Sequence, residues 1–441
     1  MTSTTIAKEE LDSFTQEQRD LHVVDEGGAI MFNFYRVFEK STWYSSVLMK
    51  LKSTDDGDSE TVYETNKSFH YLTYSYMRFS TPHLKIRPEL EGKCEFAFCH
   101  NLGTNISSHA VFKETDIPYH TWDNVWADIF FQFFQKSGAG KRDNHHIGIG
   151  NIPELEDWSS EKESCNVNVE QPWFYGLDRC YAYPIYATNS QTKAEHRYTW
   201  RRKLSDLIRI RILNADGDWQ ELAGKIDIDE YLDTEKCTHI KTPELWGRYA
   251  LLSKPELTHY KRKGTRSFFI RDIEICDTPN ENKFGTTADI PLDCNKICLA
   301  FFWVAENNNA TTLRNYSNYT TNKFDLYQGR DPITATTLKY GNSIYFDKLP
   351  SDHFSIAQPR EHFPSSPDEI GYHGYSYASD CANYDADIGV VLGNLKAKLL
   401  CNINSNNKDN QDCTFNTRVR LLVLRKCTVD LVNDTFSLSI Q

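Results

Sequence analysis

Short runs of alternating apolar and polar residues recur along this chain and constrain its fold more than any other feature. The clearest is LIRIRI at residues 207–212, where isoleucine alternates with arginine. Because successive side chains of a strand point to opposite faces, this run predicts a strand with one buried and one solvated face. Other strand-like runs occupy residues 69–79, 94–99, 266–270, 297–304, 395–403 and 418–424. The pattern predicts an all-β protein built from antiparallel sheets.

One segment departs from the strand rhythm. Residues 123–134 (DNVWADIFFQFF) place Val125, Ile129 and Phe133 at positions i, i+4 and i+8, and Asp123 precedes them. Apolar residues at this spacing share one face of a helix, and aspartate is a favoured N-cap residue. We therefore predict a short helix here, capped by Asp123.

The charge of the chain argues against a nucleic-acid coat. With 49 basic and 61 acidic residues among 441, the formal net charge is -12, and such a field repels phosphate backbones. We expect no secretory signal and no membrane span, because neither an apolar leader nor a stretch of about 18 apolar residues occurs. The N-x-S/T sequons are then expected to be chance matches: Asn66, Asn105, Asn309, Asn315, Asn318 and Asn433.

Cysteine spacing offers no metal or redox motif. The twelve cysteines include no C-x-x-C pair, so we expect reduced thiols that are mostly buried. Cys294 and Cys298 could in principle pair or bind a metal. Apolar neighbours make core packing the preferred interpretation for Cys298.

The turn SGAGKR at residues 137–142 has the glycines of a phosphate-binding loop. Gln135 stands where the first glycine of that motif belongs, and Arg142 replaces its serine or threonine. We therefore expect a surface turn around Gly138 and Gly140.

Four histidines are candidate metal ligands by residue type. His145 and His146 are adjacent, so on a strand they would face opposite ways, and His100 and His120 lie at no finger-like spacing. We predict no metal site, no cofactor and no catalytic residue.

A basic cluster with interleaved aromatics, RYTWRRK, occupies residues 197–203. Such a cluster could stack on and neutralise a nucleic acid. Because the chain is acidic overall, we favour a charged strand edge or loop that meets acidic residues of a neighbouring subunit.

Six segments, in order, resemble the major capsid protein family of nucleocytoplasmic large DNA viruses, virophages and polinton-like viruses. Short motifs within these segments carry the resemblance: Ile149-Gly150-Asn151, residues 182–185 (AYPI), and Gln358-Pro359 followed by Gly371. The family's later QPSG passage is reduced to Gly389 and Asn394. The segments are residues 28–45, 99–134, 171–188, 225–244, 297–309 and 345–378.

The resemblance implies an all-β fold of two consecutive eight-stranded antiparallel jelly rolls with short helices in loops. We expect an N-terminal arm at residues 1–26, a first jelly roll at 27–240 and a second at 241–441, with the boundary in the polar stretch at 231–257. It also implies a structural capsid subunit in the virion, assembled inside the host cell, that forms homotrimers with a pseudo-hexagonal outline. Implied partners are other copies, neighbouring capsomers, and minor capsid or penton proteins. An inner viral membrane is a further candidate, and direct specific nucleic-acid binding is not expected.

Large aromatic residues are candidates for subunit contacts, since they often anchor interfaces. We name Trp43, Tyr44, Trp122 and Trp173, for which core packing is an equal alternative. The rival function is a carbohydrate-binding or glycan-hydrolysing β-sandwich protein, in which exposed Trp and Tyr would stack on sugar rings.

Overall fold

The computed structural model describes residues 44–57, 59–114, 117–135, 146–175, 182–185, 194–233, 237–262, 266–277, 281–381, 389–404, 414–429 and 438–440. The predicted arm at 1–26, Trp43, His145 and the glycine-rich turn at 137–142 lie outside them. Every strand pairing in these ranges is antiparallel, as the alternation predicts. No helix in the described ranges is long and apolar enough to cross a membrane.

The strands of the first half form one group. They are β1 (Tyr44–Lys50), β2 (Lys52–Asp56), β3 (Glu60–Glu64), β4 (Tyr71–Ser80), β5 (Leu84–Ile86), β6 (Cys94–Phe98), β7 (Ser107–Glu114), β8 (Ile117–Asp123), β9 (Glu161–Lys162), β10 (Asn166–Glu170), β11 (Ala194–Trp200), β12 (Ile208–Leu213), β13 (Trp219–Glu221), β14 (Leu232–Asp233) and β15 (Glu244–Leu252).

The strands of the second half follow. They are β16 (Arg266–Asp277), β17 (Asn282–Lys283), β18 (Thr287–Leu292), β19 (Ile297–Asn307), β20 (Ile333–Tyr340), β21 (Ser343–Pro350), β22 (Tyr372–Ser376), β23 (Val390–Val391), β24 (Ala397–Ile403), β25 (Thr414–Val429) and β26 (Leu438–Ile440).

Helices are short and lie between strands. They are α1 (Leu102–Asn105), α2 (Asn124–Phe134), α3 (Pro153–Glu156), α4 (Leu204–Leu207), α5 (Lys254–Arg262), α6 (Asn308–Thr312) and α7 (Gln358–His362), with a π-helical turn (His353–Ala357) before α7 and 3-10 turns at Pro88–Leu90, Ile228–Glu230, Leu326–Gln328 and Gly393–Leu395.

Two sheets of each half share one strand permutation. In the first half the main sheets run β1-β15-β4-β10 and β3-β11-β7-β8, with β2 added beside β3. In the second half they run β16-β25-β19-β22 and β18-β24-β20-β21. If the eight strands of each half are numbered one to eight in chain order, both halves give 1-8-3-6 and 2-7-4-5. This is an eight-stranded jelly roll, made twice, and it confirms the predicted fold class.

The strand β15 lies within the polar stretch where the sequence suggested a boundary. It pairs with β1 and β4 and is strand eight of the first barrel. The sequence does not predict this strand, because Gly247 and Arg248 interrupt its apolar residues. The predicted division between residues 240 and 241 stays a prediction.

Strand β19 explains an apolar run that does not alternate. Phe301 and Trp303 point into the core of the second barrel, where they pack with Phe354 and Val419. Phe302, on the opposite face, belongs to the core shared with the first barrel. A strand buried on both faces needs apolar residues at every position.

The predicted helix is confirmed as α2, and Asp123 caps it by accepting a hydrogen bond from the Trp126 N–H at 2.9 Å. In chain order α2 joins strands five and six of the first barrel. The same connection in the second barrel holds the turn His353–Ala357 and α7, together called the second insert. The two barrels therefore carry helical insertions at equivalent places.

Candidate assembly site between the barrels

The helix α2 lies between the two barrels and holds them together. Residues 124–133 of it are all buried. On the side of the second barrel, the Trp126 and Phe133 rings lie 5.8 and 4.9 Å from the Phe302 ring, and Phe133 lies 5.2 Å from Phe363. Such ring pairs add to the free energy of burying the apolar surface. We call this junction the seam.

A buried ion pair crosses the seam at the start of α2. The Arg420 Nη2 of strand β25 donates to the Asp123 Oδ2 at 2.6 Å, and the Arg420 side chain is 0% exposed. Arg418 lies 3.8 Å from the same carboxylate. Asp123 therefore serves both as helix cap and as the partner of a buried cation from the other barrel.

A second charged group crosses the seam at His100. Its Nδ1 lies 2.8 Å from a Glu156 oxygen of the first barrel, and its Nε2 lies 2.9 Å from a Glu369 oxygen of the second. Burial opposes the charge on His100, but Glu369 and Glu156 outweigh it and raise the pKa of His100 well above its ordinary value. Burial alone would raise the pKa of Glu369, but the nearby His100 lowers it. The imidazolium thus links the two barrels.

Hydrogen bonds from uncharged donors complete the seam around Asp128. The Tyr319 hydroxyl of the second barrel donates to it at 3.0 Å and the Thr104 hydroxyl at 2.8 Å. Burial raises the pKa of Asp128 to about 6, although these hydrogen bonds act in the opposite direction. Nearby, the Asn105 amide donates to the Ser317 hydroxyl at 2.6 Å.

Glycine is required at Gly371, which the family resemblance picked out. Its φ is +98°, and an added Cβ would lie 2.4 Å from the Tyr319 carbonyl oxygen. The close approach lets the chain between the second insert and β22 pass beside the seam. Gly150, also part of the resemblance, has a φ of +82°.

The aromatic candidates for subunit contacts divide into two groups. Trp122 is 1% exposed and Trp173 0%, and their rings contact each other at 5.4 Å. The interface prediction for these two is wrong, because both fill the core of the first barrel. Tyr44 is 58% exposed on β1 and remains a candidate.

The basic cluster at residues 197–203 is used within the chain. Arg197 pairs with Glu60 at 2.6 Å, and the buried Arg202 donates to the Thr242 hydroxyl at 2.6 Å. Arg201 lies over the Tyr316 ring at 4.7 Å. Three of the cluster's cations thus have partners within the chain, and the favoured contact with a neighbouring subunit stays a prediction. Strand β11 buries every second residue, which a charge count along the sequence does not show.

The candidate metal ligands are dispersed. His120 is buried among aromatic rings, 5.7 Å from that of Trp173, and His146 lies 3.5 Å from Asp368. Cys298 is buried in the second barrel, as predicted, and burial raises the pKa of its thiol well above the ordinary value. Cys294 is buried as well, and both thiols are free.

Another group of possible ligands, His83, Glu161 and Glu163, is exposed on the surface of the first barrel. Beside this group, Lys85 lies 3.4 Å from the Glu161 carboxylate and would compete with a metal ion for its negative charge. The arrangement is a surface ion-pair cluster.

A cleft of about 500 Å³ beside the seam bears on the carbohydrate alternative. Its indoles are the half-buried Trp158 and the exposed Trp219. The Arg211 guanidinium lies 4.7 Å from each ring, and Arg209 lies 5.1 Å from Trp158. Since arginine covers these ring faces, they are poorly placed to stack on a sugar.

The repeated strand permutation, joined by a buried seam, defines the class: this is a double jelly-roll protein. Residues 263–418 match the family of large eukaryotic DNA virus major capsid proteins. The major capsid protein of Wiseana iridescent virus is 26% identical over 384 residues, which cover 78% of this chain and 73% of that protein. That of Lymphocystis disease virus 1 is 23% identical over 401 residues, covering 85% and 83%.

Solved structures show the same fold. PBCV-1 VP54, fitted into a reconstruction of the virophage Sputnik, aligns with a TM-score of 0.68 at 11% identity, over 92% of this chain and 99% of that one. The Faustovirus major capsid protein aligns with a TM-score of 0.68 at 6% identity, over 92% and 94%.

In sequence and in fold the chain is thus similar to the double jelly-roll major capsid proteins of large DNA viruses. These comparisons support a structural subunit of the virion capsid, the role that the names of its relatives give, and not an enzyme.

Proposed function

We propose that three copies of this chain form a trimer with a pseudo-hexagonal outline and that many trimers tile an icosahedral shell. The observation that carries the proposal is the repeated permutation 1-8-3-6 and 2-7-4-5 within one chain. Two like barrels per chain give six like units in a trimer. Such an outline packs closely on a curved surface although only three chains build it.

The seam supports this proposal, because it fixes the two barrels relative to each other. Aromatic packing around Phe302 and the Asp123–Arg420 ion pair resist sliding and rotation. A rigid pair of barrels presents a constant outline to its neighbours, as a repeating lattice requires.

The proposal extends to the limits of the two barrels. In place of the expected division at residues 240–241, we propose that the first barrel extends to Leu252, because β15 is its eighth strand, and that the second barrel runs from β16 onward. The helix α5 then lies in the connection between them.

The partners that we propose are neighbouring capsomers, minor capsid or penton proteins at special positions of the shell, and an inner viral membrane beneath it. We propose no direct specific contact with nucleic acid. The net charge of -12 and the internal use of the basic cluster support that last point.

Size-exclusion chromatography with light scattering tests the function. We expect a particle of three chain masses, stable on dilution. A monomer that binds glycans would overturn the proposal and favour the carbohydrate alternative.

A further inference from the structure

The outer face of the 1-8-3-6 sheet of the second barrel carries a row of three residues across neighbouring strands. Ile275 of β16 pairs with Arg420 of β25, and Arg420 pairs with Phe302 of β19. An aliphatic side chain, an arginine and an aromatic ring thus stand side by side. Here α2 covers two of the three residues, placing Trp126 on Phe302 and Asp123 on Arg420, while Ile275 stays 37% exposed.

The first barrel carries the same row at the same place. Leu48 of β1 pairs with Arg248 of β15, and Arg248 pairs with Tyr74 of β4. The order is again aliphatic, arginine, aromatic on strands one, eight and three. In this barrel the row is open: Leu48 is 47% exposed and Arg248 is exposed, with its guanidinium 5.4 Å from the Tyr74 ring.

The second insert is the counterpart of α2, and its outer side is open too. Phe354 packs into its own barrel against Trp303 at 5.0 Å. On the other side Ile356 is 46% exposed and Ala357 is exposed. Counted from the aspartate that precedes each insert, Ile356 and Ala357 correspond to Ala127 and Asp128 of α2, and both of those are buried.

The residue before each insert is an aspartate. Asp123 precedes α2 and pairs with Arg420. Asp352 precedes the second insert and is exposed. Each chain therefore contains one row whose arginine is paired with the aspartate of an insert, and separately an open row and an insert whose aspartate is exposed.

We propose that the second insert of one copy covers the Leu48–Arg248–Tyr74 row of the next copy and that Asp352 pairs there with Arg248. This junction repeats the seam between chains, and the inference rests on the proposed trimer. The contact joins two different surfaces, so it is head to tail, and repeated by a rotation it closes into a ring. Three seams within chains alternate with three between chains.

A charge exchange tests the pairing. Arg248→Asp and Asp352→Arg each place like charges at every junction, so we expect the concentration at which the trimer dissociates to rise about tenfold or more. The double variant restores an opposite pair and should return to within about threefold of the wild type. Lys398→Asp, in an exposed pair with Asp289, is the matched control and should leave the trimer unchanged. Mass photometry over a dilution series provides the readout.

A covalent test uses the same positions. The double variant Arg248→Cys/Asp352→Cys should give, on mild oxidation, cross-linked bands up to the trimer, and neither single variant should. Circular dichroism shows that each variant is folded.

The outcomes separate the two proposals. A trimeric wild type with unaffected single variants, no restoration in the double variant, or no cross-link would overturn the junction and leave the trimer intact. A wild type that stays monomeric would overturn both.

Discussion

At the scale of single residues, Asp123 shows what the sequence could and could not predict. The cap was predicted, because it depends on residues within one helical turn. Its second role depends on Arg420, which is 297 positions away. Nothing in a single sequence brings two such positions together, so the seam was not foreseen.

The first prediction concerns this ion pair. Asp123→Asn leaves the Arg420 guanidinium buried without a counter-charge, and breaking such a pair costs about 3–5 kcal/mol. We expect the free energy of unfolding, from urea titration, to fall by that order. Asp289→Asn, in an exposed pair with Lys398, should cost under about 1 kcal/mol. Equal losses would show that Arg420 does not depend on Asp123.

The second prediction concerns pH. The pKa of His100 is raised in the folded state, so its contribution to stability is complete below the unfolded pKa of about 6.5 and is lost as the pH rises through the folded value. The difference in unfolding free energy between the wild type and His100→Gln should therefore be largest in mild acid and shrink toward alkaline pH. Urea titrations at several pH values measure it. A difference that is constant with pH would contradict a charged His100.

At the scale of elements, alternation located most of the strands. It could not tell which tryptophans are buried, because Trp122 and Trp173 suit a core and a contact surface equally well. It failed where a strand such as β15 lacks alternation. The row of aliphatic, arginine and aromatic side chains on strands one, eight and three can be recognised only from the register of the strand pairing, which alternation does not give.

The third prediction concerns the passage at Gly371. Gly371→Ala brings a Cβ against the Tyr319 carbonyl as well as placing alanine at positive φ. Gly217, with a φ of +88°, has nothing within 4 Å of an added Cβ and isolates the backbone cost of about 1–2 kcal/mol. We expect Gly371→Ala to lower the thermal midpoint clearly more than Gly217→Ala. Equal falls in the thermal midpoints of the two variants, measured by calorimetry, would mean that the structure relaxes and removes the contact between the new Cβ and the Tyr319 carbonyl.

At the scale of the whole molecule, family resemblance and topology agree on two barrels in one chain. The resemblance predicts two barrels from the order of the matching segments. The strand permutation gives the physical reason for two barrels, because each half of the chain forms its own pair of packed sheets. The relation between copies follows from neither a motif nor a composition. The proposed contact between copies comes from comparing the outer face of the second barrel, where α2 packs, with the equivalent open face of the first barrel.

Electron microscopy of the purified protein tests the central claim most directly. We predict particles with threefold symmetry and a six-sided outline, in which each side is one jelly roll and intrachain and interchain junctions alternate. Single isolated double barrels, or rings with another number of chains, would contradict the account.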